Sequence, residues 1–178
     1  MIRLFAALAV PPEIGRVLQI RQHGIEGARW RTLEALHVTL RFFGEVREDV
    51  ARELDAELLE VSGRPFEIEL SGAGAFGEGV DVHAVWAGIA ETPALRRLAA
   101  ACDAAARRAG LPPDKRRYRP HVTLAYLRRP DPMAVAHWIQ ANNLLKSPPI
   151  PVTSFGLYAS YLSGEGSRYK LEAEYGLR

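Results

Sequence analysis

Apolar residues along this chain fall into short runs separated by stripes of helical period. Leu4 to Val10 is an unbroken apolar run that ends at Pro11-Pro12, after which Ile14, Val17 and Leu18 keep helix spacing. This predicts a buried strand and then a helix opened by the prolines. Met1-Ile-Arg ahead of so short a run imitates a signal peptide, but with a helical pattern directly behind it a first strand is the better reading. Val82 to Ala90 predicts another strand. The helix behind it is capped by Thr92, opened by Pro93 and closed at Gly110, with Leu95, Leu98, Cys102, Ala105 and Ala109 as its inner stripe. Val50, Leu54 and Leu58 predict a helix closing near Gly63, followed by a strand from Pro65 to Leu70. Val135, Trp138 and Ile139 predict a helix capped at Asp131-Pro132, followed by a strand from Ile150 to Ala159. Ser163-Gly164-Glu165-Gly166 predicts a hairpin that returns through Tyr169 to Tyr175.

The order of these elements repeats, and so does one tetrapeptide. His-Val-Thr-Leu stands at His37 to Leu40 and again at His121 to Leu124, each time after a strand and a helix and before another helix and strand. The pattern predicts one compact bilobal domain over 1–178, with approximate repeats at 1–77 and 80–160. Its fold class is α+β: two lobes related by a pseudo-twofold axis, each a mainly antiparallel sheet with outer helices, and an active-site cleft between them.

On a strand, alternate residues share a face. His37, Thr39 and Arg41 are therefore expected on one side and Val38, Leu40 and Phe42 on the other; His121 and Thr123 oppose Val122 and Leu124. One such strand reads as Thr for β-propensity with an incidental His. Two in matching contexts point to chemistry at phosphorus. One neutral imidazole takes a proton from the nucleophile, and the other, protonated, gives one to the leaving oxygen. The threonine hydroxyls can donate to the non-bridging oxygens. That scheme needs no metal or other cofactor.

Composition narrows the choice. A net charge of +2 does not mark a polyanion binder, so local clusters must carry that argument. The lone Cys102 excludes an internal disulfide and a multi-cysteine zinc site. No apolar stretch approaches the ~20 residues of a membrane helix. A soluble, cytoplasmic monomer with no membrane partner is expected.

The chain resembles the bacterial 2′-5′ RNA ligase-like family of RNA 2′,3′-cyclic phosphodiesterases, among the two-histidine phosphoesterases. The likeness runs through Arg3-Leu4-Phe5-Ala6-Ala7, Arg29-Trp30, Leu36 to Gly44, Gly74-Ala75-Phe76, Trp86-Ala87-Gly88, Arg119 to Ala125 and Leu157 to Ser160. What the resemblance implies is hydrolysis of a 2′,3′-cyclic phosphate end on RNA, or of a related nucleotide, to a 2′-phosphate. His37 would be the proton donor and His121 the proton acceptor; the repeat itself leaves the two equivalent. The family's arginine five residues after the second histidine is replaced here by Tyr126. Arg41, Arg119, Arg128 or Arg129 could supply that charge, and Arg41, Arg119 and Tyr126 are taken as the substrate-binding candidates. Gly77 to His83 departs from the Pro-Arg or Pro-Lys turn of many relatives.

Other features are weaker. Lys115-Arg116-Arg117-Tyr118-Arg119 either grips RNA backbone or is a solvated loop. Trp30 is expected in the core, Phe43 and Tyr126 are candidates for stacking a base, and Trp86 and Trp138 read as packing. His23, His83 and His137 are expected at the surface, and Gly72 to Gly79 lacks a nucleotide-loop pattern. The rival functions are 2′-5′ RNA ligation, hydrolysis of a small cyclic nucleotide, an RNA-binding module with incidental histidines, and a metallohydrolase, for which ligand spacing is lacking.

Overall fold

A computed structural model describes residues 1–164 and 166–178. In chain order the elements are β1 (Ile2–Ala9), α1 (Pro12–Gln19), β2 (Arg29–Trp30), β3 (His37–Val46), α2 (Glu48–Leu59), β4 (Phe66–Ile68), β5 (Leu70–Phe76), β6 (Ala84–Ile89), α3 (Pro93–Arg108), β7 (His121–Tyr126), α4 (Pro132–Asn142), β8 (Ile150–Val152), β9 (Ser154–Ser163) and β10 (Gly166–Gly176). A 3-10 turn over Leu33–Ala35 leads into β3. The local signals for helices act as read. Thr92 Oγ1 accepts from the Leu95 amide at 3.1 Å, and Asp131 Oδ1 accepts from Met133 at 3.0 Å. Helix α2 stops at Leu59, earlier than Gly63 suggested.

Two four-stranded sheets form, in the orders β10-β9-β1-β3 and β2-β7-β6-β5, with the pair β4-β8 beside them. Every pairing is antiparallel. The sheets meet where β3 packs against β7. Helix α3 packs on α2 and on β3, while α4 lies against β5. The architecture is thus α+β with two antiparallel sheets and outer helices.

Strand bounds differ from the sequence reading where the chain changes sheet. The run from Pro65 to Leu70 divides at Glu69: Phe66 to Ile68 pair with β8, whereas Leu70 onward pairs with β6. The run from Ile150 to Ala159 divides at Thr153 in the same manner, β8 joining β4 and β9 joining β1. Alternation along a strand cannot show such a switch, because it records facing and not partner. The glycine-rich stretch from Gly72 belongs largely to β5. Gly74 there makes room for an indole, since a Cβ would fall 2.4 Å from Trp86 Cζ2. Of the hairpin between β9 and β10, Glu165 lies outside the described residues; Ser163 and Gly166 pair across its base.

Candidate active site

The two repeated tetrapeptides open the strands along which the sheets meet. Val38, Leu40, Val122 and Leu124 are 4% exposed or less. Burying each contributes roughly 1.5–3 kcal/mol, so neither strand can slip by one residue without a large loss. With that face fixed, His37, Thr39, His121 and Thr123 all turn into one cleft of about 970 Å³.

Both strands then break their alternation at the same place. Ala7 pairs with Thr39 and Ala6 with Arg41, leaving Leu40 without a partner. Trp86 pairs with Thr123 and Val85 with Ala125, leaving Leu124 without one. Such a bulge turns the side chains directly behind it to the other face, in β3 as far as a second irregularity at Phe43. Arg41 accordingly is buried and Phe42 is exposed in the cleft, opposite to the simple alternation read from the sequence. In the second strand Ala125 is buried and Tyr126 reaches the cleft.

The imidazoles are held alike. His37 Nδ1 lies 2.8 Å from the Ala35 carbonyl, and His121 Nδ1 lies 2.6 Å from the Arg119 carbonyl. A carbonyl can only accept, so Nδ1 carries the proton in both rings and Nε2 is left for substrate. Aromatic rings wall each histidine: Phe5 at 4.8 Å and Tyr169 at 5.1 Å for His37, Phe76 at 4.9 Å and Trp86 at 6.0 Å for His121. Trp86 thus packs against His121, and Gly74 admits its indole there. Burial pulls His37 down to about 4, with the charges of Arg31 and His121 adding to the effect. His121 is also lowered by burial, partly offset by its bond to Arg119.

The sequence pattern of the 2′-5′ RNA ligase superfamily matches residues 10–161. The chain belongs to that superfamily. An RNA 2′,3′-cyclic phosphodiesterase of Archaeoglobus fulgidus is 32% identical over 94% of this chain and 96% of its own. One from Aeropyrum pernix is 32% identical over 88% and 92%. The Escherichia coli LigT structure complexed with 3′-AMP superposes with a TM-score of 0.80 at 28% identity, covering 99% of this chain and 98% of that one.

Around the histidines this superfamily member arranges its cations unequally. Arg41 lines the cleft but is engaged by protein groups: Nε lies 2.8 Å from Asp103, Nη1 lies 3.6 Å from Asp114, and Nη2 donates to the Pro112 carbonyl at 2.6 Å. The Asp114 amide donates to Asp103, and Tyr118 donates to the Thr39 carbonyl at 3.0 Å. The segment before His121 is thereby tied to β3. Arg119 is exposed in the cleft, as is Arg117, and neither meets a carboxylate among the described residues. Arg116 lines the cleft too, paired to Asp114. Arg128 and Arg129 are exposed and do not line the cleft.

Arg31 and Tyr169 line the cleft without a signal in the sequence, whereas Phe5 and Phe76 stand in stretches that carry the family resemblance but are not singled out there for the site. His83 also lines the cleft, stacked 6.3 Å from Phe76, while His23 and His137 are exposed elsewhere. Phe43 is buried and unable to stack a base. Trp30 is half-buried against Trp138, whose Nε1 donates to the Arg21 carbonyl. Among the described residues no group of three His, Cys, Asp or Glu side chains could hold a metal ion, and no helix is long and apolar enough to cross a membrane.

Proposed function

We propose that this chain hydrolyses a 2′,3′-cyclic phosphate end of RNA to a 2′-phosphomonoester by metal-independent acid and base catalysis. The observation that carries the reading is the matched pair of imidazoles. Each is fixed through Nδ1 to the carbonyl two residues before it, each has a threonine two residues after it, and both open on one cleft. His37 protonates the leaving 3′-oxygen and His121 takes a proton from the attacking water. Deeper burial makes the His37 imidazolium the readier donor, which suits that role. The arginines at the cleft support an RNA end as the substrate, and relatives of this length and similarity bear the phosphodiesterase name. We infer further that the two lobes descend from one duplicated unit, since the bulge after the motif threonine occurs in both, and that the chain works as a monomer in the cytoplasm. The deciding experiment is incubation with RNA ending in a 2′,3′-cyclic phosphate in the presence of EDTA. A 2′-phosphate product is expected; a 3′-phosphate, or loss of turnover with chelator, would overturn the mechanism.

Thr39 and Thr123 offer hydroxyls that no protein group engages among the described residues. Each is expected to donate to a non-bridging oxygen as its charge tightens in the transition state. Thr39→Val and Thr123→Val should each lower kcat about tenfold, as loss of a hydrogen bond to a charged group does, with KM little changed. Unchanged kcat in both would remove the hydroxyls from the reaction.

The pH profile follows from the shifted histidines. In the free protein the base must be neutral and the acid protonated, and both groups lie below their ordinary 6.5. The bell in kcat/KM is therefore expected on the acid side of 6.5, its two limbs belonging to the coupled pair and the value near 4 bounding the acid limb, since the donor carries the lower value. Bound phosphate is anionic and favours imidazolium, so the bell in kcat should lie at higher pH. A kcat/KM optimum above 6.5 would contradict this assignment.

A further inference from the structure

Arg31 is a half-buried guanidinium without a carboxylate partner among the described residues. It follows β2, whose Arg29 and Trp30 pair with Tyr126 and Ala125, and its own amide donates to the Leu124 carbonyl at 2.8 Å. The backbone thus sets Arg31 beside the strand that carries His121 and Thr123. Its side chain spans to the other sheet, where Nη2 donates to the Tyr169 hydroxyl at 2.9 Å. The guanidinium carbon lies 5.3 Å from the ring centre of Tyr126 and 5.4 Å from that of Tyr169. Tyr169 in turn packs edge-on against His37. Arg31 lines the cleft with both histidines and both threonines.

Removing a cation partly from water is costly unless something compensates it. Two phenol rings compensate in part by cation–π attraction. They leave most of the five N–H donors of the fork without an anionic partner, in a cleft read as a phosphate site. We propose that Arg31 grips the non-bridging oxygens of the reacting phosphate, held in position by Tyr126 and Tyr169. This rests on the reading of the cleft as a phosphodiesterase site. It assigns the binding charge to a position outside both repeated tetrapeptides, so the two motifs supply proton transfer and an arginine ahead of the first supplies the anion clamp.

The test places the charge elsewhere in the same space. Arg31→Met should weaken binding of inorganic phosphate, followed by calorimetry, roughly ten- to hundredfold, and lower kcat/KM on the cyclic-phosphate RNA by a similar factor. Because the guanidinium lies over the Tyr126 ring, Tyr126→Arg in the Arg31→Met background brings a guanidinium back from the neighbouring strand. That double variant should recover both phosphate binding and turnover to within about tenfold of the original protein. Arg31→Lys, which keeps charge and loses the fork, should fall between. Phosphate affinity that is unchanged in Arg31→Met, or a double variant no better than the single, would overturn the assignment. The binding measurement needs no turnover, so a protein that binds phosphate through Arg31 but fails to hydrolyse the RNA would sink the phosphodiesterase reading and leave the clamp standing.

Discussion

Alanine in place of His37 or of His121 is expected to lower turnover about 10²–10⁴-fold, the usual worth of a positioned general acid or base. On the proposed mechanism each imidazole serves one side of the phosphorus, and each is replaceable only by solvent. The double variant should be little worse than the poorer single one, because residues that act as a unit lose most of their benefit together. Stability should respond differently at the two positions. His121 stands nearer to solvent, and its loss should barely move the melting temperature. His37 packs against Phe5 and Tyr169, so its loss opens a small void and should cost more. A variant that melts normally and turns over normally would remove that histidine from the mechanism.

The second large effect is expected at Arg41, and on stability before activity. Its side chain is buried and joins Asp103, Asp114 and the Pro112 carbonyl to β3. Arg41→Met keeps the length and removes the charge, taking the guanidinium from two carboxylates, Asp103 and Asp114, and from two carbonyls, those of Phe42 and Pro112. Breaking a buried ion pair costs about 3 kcal/mol at the low end, and the partial exposure of Asp103 argues for that end. The midpoint of urea unfolding should fall accordingly. Turnover should fall as well, because the freed segment runs through Tyr118 and Arg119 into His121. An unchanged midpoint with only a raised KM would return Arg41 to the substrate-binding role that strand alternation alone suggests.

The contrast between Arg41 and Arg31 shows what the sequence could and could not tell. The motif strands, the capped helices and the cleft between lobes were legible because each rests on a local pattern: a repeated tetrapeptide, a cap, a stripe. The facing of Arg41 was misread because alternation assumes an even ladder, and one bulged residue reverses what comes directly after it. Arg31 and Tyr169 were silent because pairing brings them in from other strands, as when the two-residue β2 pairs with β7. Nothing near Arg31 in the chain distinguishes it from the other arginines. The strands that divide at Glu69 and Thr153 belong to the same class of event, since a change of partner leaves the facing of side chains intact.

That both histidines are oriented by peptide carbonyls has a bearing on how this site tolerates change. Where a carboxylate orients a catalytic imidazole, a third side chain must be preserved along with the other two. Here any residue at position 35 or 119 presents the same oxygen, provided the backbone keeps its course. The mutational target of the proton-transfer machinery is correspondingly small. On the proposed mechanism four side chains specify it, while the turn at Leu33–Ala35 and the Arg41 ties hold the course of the chain. Under the proposed mechanism, the residues that choose and grip what enters the cleft can then change without disturbing how the two imidazoles are oriented.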